Sequence, residues 1–94
     1  MSEYHEKNLS QEAKEFHRVI RSVIEELEAV DWYNQRADAT NDSQIQAIVE
    51  HNRDEEIEHA CMGLEWLRRN YPAWNEEMNT FLFSKGDITD IEEE

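Results

Sequence analysis

The chain has 94 residues, of which 23 are acidic and 9 are basic, so its formal net charge at neutral pH is −14. This charge argues against nucleic acid and anionic membrane surfaces as partners, and it suits a protein that gathers cations. A single domain of this length is marginally stable as a monomer, so we expect a partner subunit. The chain has one cysteine, which excludes an intramolecular disulfide.

Three helices are predicted, because glycine and proline are rare and apolar residues recur with helical spacing. The first helix begins after a Ser10 cap and extends to about Ala37. Residues 38–42 provide the turn and capping groups before a second helix that ends near Asn70. A short linker between two long helices predicts an antiparallel hairpin.

Pro72 opens a short third helix, which we expect to stop near Gly86. Residues 1–9 form a predicted flexible N-terminal tail, and residues 87–94 form an acidic C-terminal tail. The sequence therefore predicts an all-α domain over residues 10–86, in which a two-helix hairpin carries a short C-terminal helix.

Each long helix has a stripe of apolar residues that we expect to face the core. On the first helix the stripe comprises Phe16, Val19, Ile20, Val23, Leu27 and Val30. On the second helix it comprises Ile45, Ile48, Val49, Gly63, Trp66 and Leu67. Glu56 and His59 fall inside the second stripe. A buried carboxylate without a partner is costly, so Glu56 must be protonated, paired with a cation or bound to a metal.

Glu56 and His59 are three residues apart, so both side chains lie on one helix face and can converge on a single ion. Of the four histidines, only His59 has a carboxylate at this offset. The spacing alone is a weak motif in so acidic a chain. A core histidine hydrogen-bonded to Glu56 is the alternative; the inward position favours a metal ligand.

Glu26 on the first helix supplies a third inward-facing group. At about 100° per residue, it lies at the edge of the buried arc, beside Val19 and Tyr33. Glu25 and Glu28 lie on the opposite side of the same helix. Of these three glutamates, the helical phases therefore select Glu26 as the candidate ligand.

Two further surfaces of the predicted hairpin indicate subunit contacts. Trp32 lies in the middle of the charged outer face of the first helix. Ile57, Cys61 and Leu64 form a second apolar line on the second helix. A single hairpin cannot cover both surfaces, so we infer two different contacts between subunits. A scattered exposed tryptophan is the alternative.

The number of candidate ligands predicts a dimer. Carboxylate-bridged di-iron sites in helical bundles use a Glu from each of two helices and Glu-x-x-His from each of two others. One chain carries half of this set, namely Glu26, Glu56 and His59. Two copies related by a two-fold axis would form a ferritin-like four-helix bundle, whose four carboxylates balance two divalent ions.

The chain resembles the encapsulated ferritins of bacteria and archaea over residues 19–91. The resemblance is carried by EELEAVDWY at 25–33, HNRDEEIEHA at 51–60 and LEWLRRN at 64–70. It implies a ferroxidase that oxidises Fe(II) with dioxygen at a di-iron centre formed across a dimer interface. It also implies that dimers form a ring-shaped decamer, which supplies ferric iron for mineral storage inside a cytoplasmic encapsulin nanocompartment.

Under this resemblance the family's iron ligands correspond to Glu26, Glu56 and His59, the residues that the helical phases select. Tyr33 corresponds to a tyrosine beside the centre. The mechanism implied is the binding of two Fe(II) ions, with the Glu56 carboxylates placed to bridge them. Electrons would pass from the two irons to one dioxygen molecule.

The same resemblance assigns a role to the outer face of the first helix. Glu25, Glu28 and Trp32 correspond to an outer metal site that feeds the centre and takes calcium or another divalent ion. Family members usually continue to a short apolar peptide that docks in the encapsulin shell. We therefore expect the natural protein to extend beyond Glu94.

Two other functions remain open at this point. A non-catalytic acidic helical interaction module would explain the composition but not the convergence of Glu26 on the same core. A peroxide-reducing di-iron protein of the rubrerythrin type shares the ligands, although this sequence lacks a cysteine-rich rubredoxin site. Iron-dependent oxygen consumption separates the first alternative from a ferroxidase, and a preference for peroxide would support the second.

Overall fold

The computed structural model describes residues 4–92 of the chain. The described residues form four helices, which are α1 (Gln11–Ala39), α2 (Ser43–Asn70), α3 (Pro72–Phe81) and α4 (Ile88–Glu92). No strand is present in this part of the chain, so the predicted all-α class is confirmed. None of the described helices combines the length and the apolar character needed to cross a membrane.

Side-chain caps define where α1 and α2 begin. Ser10 Oγ accepts a hydrogen bond of 3.1 Å from an amide in the first turn of α1. Asp42 Oδ1 accepts hydrogen bonds of 2.8 and 3.0 Å from the amides of Gln44 and Ile45. These caps satisfy amides that a helix N-terminus leaves unpaired. The Ser10 cap is thus confirmed, whereas α1 continues to Ala39 and shortens the predicted linker.

Helices α1 and α2 pack antiparallel, as the short linker predicted. Near the turn, Arg53 Nη1 on α2 donates a hydrogen bond of 3.0 Å to Asn34 Oδ1 on α1. At the opposite end of the hairpin, the Phe16 ring stands edge-on to the Tyr71 ring, with centroids 4.7 Å apart. These two contacts fix the register of the hairpin at both ends.

The described residues of a single chain form only a small buried core. Its buried apolar residues are Val23, Ala37, Ala60 and Leu67. Leu27, Ile45 and Ile48 were expected in the core, but all three side chains are exposed. The expectation was wrong for a single chain because each long helix buries only the part of its apolar stripe that faces the other helix. The uncovered side remains available for a further contact.

The C-terminal part differs from the sequence-based expectation. Helix α3 begins at Pro72 as predicted but ends at Phe81, and Leu82 caps it. Gly86 lies beyond the helix with φ of 85°, a left-handed conformation that glycine adopts readily. Helix α4 occupies most of the segment that was predicted as an acidic tail.

Candidate metal centre

Glu56 and His59 lie on adjacent turns in the middle of α2. His59 Nδ1 is 3.7 Å from Glu56 Oε2, and their side chains are 42% and 27% exposed. This distance exceeds a normal hydrogen bond but is within ion-pair range when the imidazole is protonated, and it shows that the two groups share a helix face.

Glu26 on α1 is electrostatically coupled to this pair. Its Oε2 atom is buried and has no hydrogen-bond partner among the described residues. Burial raises the pKa of Glu26, the charge of Glu56 raises it further, and His59 lowers it. Glu25 raises the same pKa to a smaller extent. The structure thus places the three predicted ligands close enough for the charges of Glu56 and His59 to shift the pKa of Glu26.

The chemistry of this group fits a divalent metal. An unsatisfied buried acceptor costs about 1–3 kcal/mol, so Glu26 needs a proton or a cation. Two carboxylates and one imidazole form a ligand set that suits iron. The charges of Glu26 and Glu56 together balance one divalent ion for each chain.

One chain does not complete such a site. Within residues 4–92, no group of three or more His, Cys, Asp or Glu side chains is arranged to hold a metal ion. The sequence-based hypothesis assigns the ligands of each ion to two copies of the chain. Glu26, Glu56 and His59 are half of that set, and their role as ligands stays a prediction.

Apolar side chains flank the candidate ligands on the exposed side of α2. Ile48 and Met62 are each 58% exposed, and helical phase places both on the same side of α2 as His59. Exposed apolar side chains that surround polar ligands are typical of a surface covered by another subunit.

A groove between α2 and α3 lies on another side of the hairpin. Cys61, Leu64, Met78 and Leu82 contribute to its lining. The groove includes two members of the second apolar line that the sequence indicated. None of the candidate ligands lines it.

The three residues of the predicted outer site lie on the exposed surface of α1. Glu25, Glu28 and Trp32 are all exposed, and Glu25 Oε1 is 3.9 Å from Arg21 Nη2. Such a surface ion pair is weak, so it leaves the carboxylate accessible to cations. The structure keeps these residues on the outer face, as predicted, and their metal binding stays a prediction.

Tyr33 is half-buried on the same side of α1 as Glu26. The two residues are seven positions apart, which is about 10 Å along a helix axis. The guanidinium carbon of Arg36 lies 5.3 Å from the centroid of the Tyr33 ring, a cation–π distance. Tyr33 is therefore two turns from Glu26 and has a neighbouring cation.

Sequence reasoning missed a residue that holds the two helices together near the candidate ligands. Arg53 lies one turn before Glu56 on α2 and hydrogen-bonds Asn34 on α1. Its side chain is also 3.1 Å from Asp54. The i, i+3 spacing of Arg53 and Glu56 was a usable signal, because it places both side chains on the face toward α1.

Comparisons with known proteins agree with one another. The family model described as EncFtn-like matches residues 2–85. An encapsulated ferritin-like protein from Rhodospirillum rubrum is 60% identical over 84 residues, which cover 89% of this chain and 60% of that protein. A ferritin-like protein from Thermotoga maritima is 52% identical over 94 residues, which cover 98% of this chain and 82% of that protein.

A more distant relative and a solved structure extend this similarity. An encapsulin nanocompartment cargo protein from Myxococcus xanthus is 42% identical over 59 residues, covering 62% of this chain and 45% of that protein. The crystal structure of a Nitrosomonas europaea protein has a TM-score of 0.89 and 50% sequence identity. That match covers 93% of this chain and 98% of the other.

Proposed function

The chain belongs to the EncFtn-like family, and from this premise we propose that it is a ferroxidase acting at a di-iron centre shared by two copies. The observation that carries the proposal is the buried Oε2 of Glu26, which has no hydrogen-bond partner among the described residues and is close enough to Glu56 and His59 to feel their charges. An Fe(II) ion bound between these side chains removes the electrostatic penalty on the carboxylates and gives the Glu26 oxygen a partner.

Two chains are needed because one chain supplies three ligands. A two-fold axis through the exposed side of the hairpin gives four carboxylates and two imidazoles for two Fe(II) ions. The exposed side chains of Ile48 and Met62 support such an interface, since they gain burial when a second hairpin covers them. The ring of five dimers follows from the resemblance to encapsulated ferritins.

The substrate is Fe(II), and the chain's side chains bind and orient it. Glu26, Glu56 and His59 from two chains would hold the two Fe(II) ions, with carboxylate oxygens and imidazole nitrogen as ligands. Each ion gives up one electron, and one dioxygen takes both electrons with two protons to become hydrogen peroxide. Hard carboxylate ligands favour the ferric product, and long helices hold them with little reorganisation.

Glu25, Glu28 and Trp32 serve as an outer site in this proposal. Two carboxylates one turn apart on an acidic surface attract divalent ions, including calcium, and raise their local concentration. Because these side chains lie on the outer face, they deliver iron to the centre without taking part in its oxidation.

The proposed partner is an encapsulin shell. The names of two relatives refer to encapsulation and to encapsulin cargo, and the chain spans about 60% of the length of the first of them. We place the protein inside a cytoplasmic nanocompartment, where the compartment stores the ferric mineral that the subunits produce.

The direct test measures Fe(II) oxidation and oxygen uptake together in stopped-flow and electrode experiments. The proposal predicts iron-dependent oxygen uptake well above the buffer rate, with about two Fe(II) oxidised for each dioxygen. Oxygen uptake equal to the buffer rate would favour an interaction module. Faster turnover with peroxide than with dioxygen would favour a rubrerythrin-type activity.

A further inference from the structure

Gly63 on α2 lies directly against Val23 on α1. A Cβ atom added to Gly63 would lie 2.5 Å from Val23 Cγ2 and 3.7 Å from Val19 Cγ1. Carbon atoms attract each other best at about 3.5–4.0 Å, so the shorter distance is a severe overlap. At the present spacing of α1 and α2, only a residue without a side chain fits at this position.

Val23 has little freedom to relieve such an overlap. Its side chain is 6% exposed, and a valine within a helix strongly prefers a single χ1 rotamer. Any side chain at Gly63 would therefore push the helix backbones apart. Glycine is also a poor helix former, so the propensity of α2 alone would favour alanine at this position.

The contact lies next to the proposed metal centre on both helices. Gly63 follows His59 by four residues, and Val23 precedes Glu26 by three, so each contact residue shares a face with a candidate ligand. The offset is about one helical turn, or 5.4 Å along the axis. Ala60, which is buried between these positions on α2, is also small.

We infer that Gly63 is a positioning residue, which sets the separation of α1 and α2 so that Glu26 reaches the metal held by Glu56 and His59. The inference rests on the proposed function. A methyl group at this position would move α1 away over the turn that carries Glu26. The Glu56–His59 pair lies within α2 and would keep its own geometry.

The test compares Gly63→Ala, Val23→Ala and the double variant by anaerobic calorimetric titration with Fe(II). We expect Gly63→Ala to bind Fe(II) at least about tenfold more weakly, as when a group that orients a ligand is lost. The double variant should recover most of the affinity, because removal of the Val23 methyl groups makes room for the new one. Circular dichroism checks that each variant is folded.

Leu67→Ala is the matched control, since Leu67 is fully buried on α2 and lies one turn beyond Gly63. This variant should lose stability but keep its Fe(II) affinity within about threefold. Equal weakening by Leu67→Ala, no recovery in the double variant, or undiminished binding by Gly63→Ala would each overturn the inference alone. A wild-type chain that binds no Fe(II) would overturn the proposed centre as well.

Discussion

Two glutamates of the hairpin lie in opposite electrostatic environments. Glu65 on α2 accepts hydrogen bonds of 2.7 Å from Arg68 Nε and Nη2 and one of 2.6 Å from Arg69 Nε. These bonds lower the pKa of Glu65 to about 2. Glu26 on α1 has a buried oxygen without a partner among the described residues and a raised pKa.

The difference separates a carboxylate that the chain stabilises with its own arginines from a carboxylate that a bound cation would stabilise. Arg68 and Arg69 follow Glu65 by three and four residues, so the helix satisfies this carboxylate locally. Beside Glu26 the chain places another carboxylate, Glu56, and an imidazole, His59. This arrangement is unfavourable without a cation and becomes favourable when a divalent ion binds.

The largest expected effect comes from removing a ligand. Glu26→Ala, Glu56→Ala and His59→Ala should each slow Fe(II) oxidation by more than about a hundredfold, the upper end of the loss caused by removing an outer-sphere partner. In the proposed dimer, each substitution removes a ligand twice, because a two-fold axis relates the two copies. Stopped-flow absorbance of Fe(III) formation measures the rate.

Glu65→Gln and His51→Ala are the matched controls for these variants. Glu65 lies on α2, as Glu56 and His59 do, but it is paired with Arg68 and Arg69. His51 is an exposed histidine 3.4 Å from Glu55. Both controls should keep a near-normal rate. Near-normal oxidation in any ligand variant, or a large loss in either control, would show that the contrast between the two regions has no catalytic meaning.

The second effect is metal-driven assembly. Carboxylates that meet at a dry interface repel each other, so the metal-free chain should dimerise poorly and Fe(II) should promote dimers. Binding confined to the assembled state stabilises it by about 2.7 kcal/mol at a hundredfold excess of metal over its dissociation constant. Native mass spectrometry with chelator and then with anaerobic Fe(II) should show this shift.

The assembly effect should be absent from His59→Ala, which removes a proposed ligand without removing a negative charge. Glu56→Ala should also lose the response to metal, although relief of repulsion permits some metal-free dimer. A mass distribution that is unchanged at saturating Fe(II) would mean that metal binding and assembly are uncoupled.

A smaller effect is expected on the outer face of α1. Glu25→Ala and Glu28→Ala should change the oxidation rate by less than about tenfold, because in the proposed mechanism these carboxylates attract ions without holding the reacting ones. The change should diminish at high ionic strength, where exposed charges are screened. A loss as large as that of Glu56→Ala would place these residues among the ligands.

The smallest effect concerns stability without metal. The folded-state pKa of Glu26 lies above its usual value of 4.5, so the ionised carboxylate destabilises the metal-free fold at neutral pH. Glu26→Gln should therefore raise the melting temperature of the metal-free fold at neutral pH, as thermal melts would show. The gain should shrink as pH falls through the raised pKa and vanish below 4.5.

Glu65 gives the opposite pH dependence in the same thermal melts. Because its folded-state pKa is lowered to about 2, its stabilising contribution is present above its usual pKa of 4.5 and is lost as pH falls toward 2. Glu65→Gln should therefore be slightly less stable than wild type at neutral pH. If both variants responded to pH in the same direction, the electrostatic comparison would be wrong.

Features set by local chemistry could be predicted from the sequence. Ser10 and Pro72 mark helix starts because capping and proline geometry act within one turn. The i, i+3 spacing of Glu56 and His59 likewise fixes their common face. Predicting that Glu26 joins them required one further inference. The short linker makes the hairpin antiparallel, and this brings the inward face of α1 against α2.

Features that depend on how helices meet could not be predicted in this way. A helical wheel gives the phase of Ile45 and Ile48 but not which partner covers them, and one chain leaves both exposed. The contact of Gly63 with Val23 depends on the axial offset of α1 and α2, which the apolar pattern does not specify. Helix α4 is too short for a periodic signal.

Anomalous scattering tests most directly whether two copies of the chain share the metal. Crystals grown with Fe(II) under anaerobic conditions would be measured on both sides of the iron absorption edge. A centre shared by two chains predicts two iron peaks related by a two-fold axis, each within bonding distance of Glu26, Glu56 and His59 side chains drawn from two chains. Iron bound by residues of one chain only, or no peak beside these side chains, would contradict it.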